Sequence, residues 1–78
     1  MFKVIEVGEA VHLHERTPAG GWAVVRPPMS HAEFKSWLHA EYTQSGGVEI
    51  KWPQGLSKRL AEIREELRKM EEEDRPVD

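Results

Sequence analysis

Residues 56–74, LSKRLAEIREELRKMEEED, decide how this chain can fold. Leu56, Leu60, Ile63, Leu67 and Met70 recur at spacings of four, three, four and three, which lines them up along one side of a helix. Every residue between them except Ala61 is polar, and most are charged. Such a helix must cover something: the chain's own core, a second copy, or another protein. Read as a coiled coil, the stripe places Leu60 and Leu67 at a, and Leu56, Ile63 and Met70 at d. That is only two heptads, short for a free-standing coiled coil. In a parallel pair Arg59 would meet Arg64, and Glu66 would meet Glu71, so like charges oppose each other. The expected states are a monomer, with the stripe packed across its own sheet, or an antiparallel homodimer.

The charges of this segment run against the helix dipole. Residues 56–70 carry five basic and three acidic side chains, net +2, whereas residues 71–78 carry one basic and five acidic, net −4. Cations at a helix start and anions at its end contribute nothing favourable, or cost a few tenths of a kcal/mol each. Pairs such as Lys58–Glu62 and Glu65–Lys69 can offset part of this. The acidic run Glu71, Glu72, Glu73 and Asp74 is therefore a candidate partner-binding patch, suited to steering toward a basic surface. A solvated, frayed helix end is the plainer account.

Working outward from this helix, the chain supplies the sheet it needs. Residues 2–7 read as a strand, Gly8-Glu9 as a turn, and residues 10–16 as a second strand with Val11 and Leu13 on one side and His12, His14 and Arg16 on the other. Thr17-Pro18-Ala19-Gly20-Gly21 is a hairpin loop, and residues 22–26 return as a third strand that Pro27-Pro28 ends. Ser30 and Glu33 stand at capping-box spacing, and Met29 and Phe34 occupy the positions of a hydrophobic staple, so a helix is expected from His31 to about Tyr42. Gly46-Gly47 breaks it. Residues 48–52 alternate as a fourth strand, and Ser57 is the expected cap of the last helix. The predicted fold class is α+β, in the order β-β-β-α-β-α. It is an antiparallel sheet of three to four strands with two helices on one face. A single domain is expected over residues 1–75, with a frayed tail at 76–78.

Seventy-eight residues suffice for one small core and leave little room for a deep cleft. The chain has no cysteine, which rules out disulfides and thiolate metal sites and suits a reducing cytoplasm. Neither a secretory signal nor a membrane span is expected. A net charge of −3 argues against a general nucleic-acid coat, so direct nucleic-acid binding is not expected.

Catalysis needs a nucleophile, a base and a group that orients it, and no such set is legible, so the chain is read as non-enzymatic and without cofactor. His12 and His14 share one side of a strand. They could ligate a metal only with further ligands that the sequence does not place. A polar, solvent-facing row is the plainer account, and no metal site is assigned. Trp37 and Trp52 fall in phase with core positions. Trp22, beside a glycine loop, is the tryptophan placed to serve as a binding anchor. The basic row of His12, His14 and Arg16 completes the set of candidate contact residues.

In build, the chain resembles small phage-encoded inhibitors, of which anti-CRISPR proteins are the best-known class. The resemblance lies in a cysteine-free single domain, a short meander followed by helices, a charge-rich surface, and the run Glu71-Glu72-Glu73-Asp74. It implies a non-catalytic cytoplasmic protein, in a bacterial host cell, that inhibits or modulates a nucleic-acid-handling host complex, a protein or protein–nucleic-acid assembly, by occluding it or by mimicking nucleic acid. The alternatives are a homo-oligomeric structural or regulatory protein using the last helix, and a small module binding nucleic acid or metal through His12, His14 and Arg16.

Overall fold

The computed structural model describes residues 1–73; Asp74, residue 75 and the tail expected at 76–78 lie outside them. β1 (Phe2–Val7) and β2 (Ala10–Arg16) pair antiparallel, with Val7 opposite Ala10 and Phe2 opposite Glu15. Gly8 takes φ of +59° at the first position of the two-residue turn between them, where a side chain would be strained. β3 (Trp22–Val24) pairs antiparallel with β2. The loop before it closes through Thr17: its N–H donates to the Gly21 carbonyl, and its hydroxyl and carbonyl accept the Gly21 and Gly20 amides. β3 is shorter than the alternation of residues 22–26 suggests, although the Val25 amide still reaches the Leu13 carbonyl. Beyond the prolines, Met29 exchanges both backbone hydrogen bonds with Val11, which ties the helix entry to the sheet.

α1 (His31–Ser45) starts as its sequence specifies. The Ser30 hydroxyl accepts the Glu33 amide at 3.1 Å, and the Glu33 carboxylate faces the Ser30 amide at 3.5 Å. Met29 and Phe34, the two halves of the staple, are both buried. The helix runs three residues past Tyr42, because the left-handed Gly46, φ +75°, donates its amide back to the Tyr42 carbonyl and closes the last turn there.

β4 (Ile50–Lys51) is two residues rather than five, and it pairs with β1 in parallel. The antiparallel meander expected of the first three strands is present, and the fourth strand makes the sheet mixed, in the order β3-β2-β1-β4. The reason is parity. Three meander strands leave the chain at the far end of the sheet, α1 carries it back, and the next strand must run in the direction of β1.

α2 (Lys58–Glu73) begins at Ser57, whose hydroxyl accepts the Leu60 amide at 3.2 Å. Leu60, Ile63 and Leu67 are buried, together with Val4, Val11, Leu13, Met29, Phe34 and Leu38. Leu56, which precedes the helix, and Met70 pack at the margin of this core, as do Phe2, Trp37, Val48, Ile50 and Trp52. The apolar stripe is thus occupied inside the domain. Both helices cover one face of the sheet, the face of Phe2, Val4, Val11 and Leu13.

Candidate functional site

Strand alternation sorts the sheet into a covered face and an open one. Across the open face run Lys51, Lys3, His14 and Val24 in one row, Ile5 and His12 in the next, and Val7 and Ala10 beyond; Arg16 and Trp22 pair at the other end. Among the described residues no element packs on this face. Val24 is 69% exposed, Val7 59% and Ile5 37%, so three aliphatic side chains of this face are open to solvent.

Trp22 is half-buried on this face. Its ring carries two cations, with Lys3 Nζ 5.7 Å and Arg16 Cζ 5.9 Å from the centroid. Contacts of this kind contribute about 0.5–1 kcal/mol each at exposed sites and hold long side chains in place. Among the residues of the four strands, no carboxylate stands on this face, because Glu6 and Glu15 fall on the opposite side in the strand register. A chain of net charge −3 therefore keeps Lys3, Arg16 and Lys51 together on one surface.

Of the residues predicted from sequence, His12, His14, Arg16 and Trp22 come together here. His12 and His14 share the face as expected, and among the described residues they join no group of three metal-capable side chains. The Nδ1 atom of His14 is shielded by its neighbours and has no hydrogen-bond partner. Glu71, Glu72 and Glu73 lie elsewhere, exposed in the last turn of α2 in the helix layer. Asp74 is outside the described residues. The ion pairs seen on α2 are Arg68 with Glu65 at 3.3 Å and with Glu72 at 3.8 Å, all exposed, so Glu72 is partly engaged within its own helix. Lys3, Ile5, Val7, Val24 and Lys51 were not singled out from sequence. The alternation of residues 2–7 already puts the first three on the side opposite Val4, but only pairing with β2 and β3 joins them to Trp22.

A second cluster lies between the sheet and the helix starts. Glu6, on the covered side of β1, turns its Oε2 to His31 Nε2 at 2.5 Å and accepts the Ser57 hydroxyl at 2.7 Å. The side chains of His31 and Glu6 are 11% and 17% exposed. These hydrogen bonds, that from His31 first and that from Ser57 second, hold the Glu6 carboxyl below the ordinary glutamate range. The trio contains the groups of an acyl-transfer site in the wrong order. A base must stand between nucleophile and carboxylate, whereas here the carboxylate stands between Ser57 and His31. The Ser57 oxygen is further engaged by the Leu60 amide. The arrangement is a bracket between two helix starts: a carboxylate held by a side chain at the head of each helix, where both dipoles favour negative charge.

Comparison with protein-family models, curated proteins and solved structures found no match for this chain.

Proposed function

We propose that this chain is a non-enzymatic protein-binding module that docks through its open sheet face, with Trp22 as the anchor. The observation that carries this is the exposure of Ile5, Val7 and Val24 on the same sheet face as a tryptophan and an arginine, a face that no other described element covers. Exposed apolar patches of this kind mark interaction surfaces, and tryptophan and arginine dominate binding energetics there. A role as an inhibitor that occludes a larger complex suits so small a domain, and the sheet face is the surface it would present. The apolar stripe of α2 is buried in the domain, which leaves it little to offer a partner.

Affinity capture with three baits tests this: the unaltered chain, Trp22→Ala, and a variant with Glu71, Glu72 and Glu73 all changed to Lys. The expected result is a protein retained by the unaltered chain and by the acidic-end variant, and lost with Trp22→Ala while circular dichroism shows that variant folded. Loss with the acidic-end variant and retention by Trp22→Ala would transfer the docking role to the end of α2.

A further inference from the structure

Among the described residues, the groove between α1 and α2, the cleft beside Arg26 and Trp37, the Glu6 bracket and the open sheet face lie outside the packed core. The groove, about 590 Å³, mixes Lys35, Lys58, Arg59 and Lys69 with Glu62, Glu65 and Glu66 and has no single character. The open face does.

We infer that the segment bound on this face is acidic at one end and apolar at the other: a protein strand or loop that sets carboxylates against Lys3, Arg16 and Lys51 and apolar side chains against Ile5 and Val7 further along β1. This presupposes that the open face is the docking surface. Charge complementarity is the basis, since three cations stand on a surface without an opposing carboxylate in its rows. Geometry adds to it. Lys3 and Arg16 both lie against the Trp22 ring, so that ring acts as a platform that holds cations outward. An arginine held in this way keeps its planar fork oriented, which suits two-point binding of a carboxylate.

The same two observations weigh against a single-stranded nucleic acid, the other anionic polymer a basic sheet face can hold. Such sites leave aromatic rings free for bases to stack on. Here the tryptophan is already engaged by cations, and the other apolar groups of the face are aliphatic rather than aromatic.

Amide-resolved NMR titrations decide the partner class. One probe is an octapeptide with four glutamates in its first half and four leucines in its second; the other is an oligothymidylate of similar charge. The expected result is that the peptide shifts the resonances of Lys3, Ile5, His12, His14, Arg16 and the Trp22 indole. Binding should weaken as salt is raised and fall about tenfold in Arg16→Ala, with Arg16→Lys between the two. Loss of dispersion in the spectrum of Arg16→Ala would report misfolding; Lys3→Ala then carries the same measurement. Tighter binding of the oligothymidylate on these residues overturns the inference in favour of nucleic acid. No shift on this face with either probe overturns the acidic-segment assignment while leaving the capture experiment to judge the docking face itself. Peptide shifts confined to α2 or the interhelical groove overturn both.

Discussion

Glu6 shows how one side chain can be set by groups far away in sequence. Its Oε2 meets His31 from α1 and Ser57 at the head of α2, 25 and 51 residues along the chain. No pattern in residues 2–7 marks it, because in sequence it is one polar position of an alternating strand. Its depressed pKa has a consequence for stability against pH. The folded carboxylate holds its proton less tightly than the unfolded one, so the unfolded chain binds more protons in that window and stability rises with pH through it. The contribution is complete above the ordinary glutamate range, roughly pH 4–5, and disappears as the pH falls below it. Urea denaturation at neutral pH should therefore find Glu6→Gln less stable by about 1–2 kcal/mol, and the gap to the unaltered protein should close in acid. A gap independent of pH would show that the carboxylate charge plays no part. Trp22 is the opposite case at this scale. Its prominence was legible from its type and its glycine neighbours, but the two cations on its ring were not, since Lys3 is brought to it only by the β1–β2–β3 register.

Elements whose signals are local were read from sequence with good fidelity. The Ser30–Glu33 capping box, the Met29–Phe34 staple and the glycine stop of α1 all depend on residues within one turn of each other, and all are present. Ser30→Ala should destabilise the domain by about 1 kcal/mol, seen as a lower urea midpoint with unchanged slope, and Ser30→Asp should restore most of it. If Ser30→Ala is neutral, Met29 and its bridge to Val11 hold the helix start without the cap. Elements defined by pairing were read less well. Residues 48–52 alternate without fault, yet only Ile50 and Lys51 form a strand. Ladder length depends on where the neighbour begins and where proline intervenes: β1 starts at Phe2, opposite Ile50, and Pro53 follows Trp52. The α2 stripe was read correctly as apolar on one side, but its first member, Leu56, sits ahead of the helix, because the Ser57 cap starts the helix after it.

At the scale of the whole molecule, stability rests on one small core to which both helices and the two central strands contribute. Leu60 is fully buried at its middle, so Leu60→Ala should cost about 2–5 kcal/mol, a large share of what a domain of this size possesses. Thermal unfolding measures this directly; a loss under about 1 kcal/mol would mean that the stripe is not closed against the sheet as described. The two helices run side by side in the same direction, their starts joined at Glu6 and their far ends by the Tyr42 hydroxyl donating to the Met70 carbonyl at 3.2 Å. Among the described residues this layer leaves the other sheet face bare, and the candidate surface exists for that reason. The sequence by itself determined the element order, the caps and turns, the two-layer α+β class and the apolar stripe of α2. Each of these is set by period, by local hydrogen bonding or by apolar character within a few residues. Only the tertiary structure decided that β4 runs parallel to β1, that Glu6 joins two helix starts, and that Lys3, Ile5, Val7 and Lys51 share one face with His12, His14, Arg16 and Trp22. Those are consequences of strand register and chain direction, which bring together side chains that no local spacing relates.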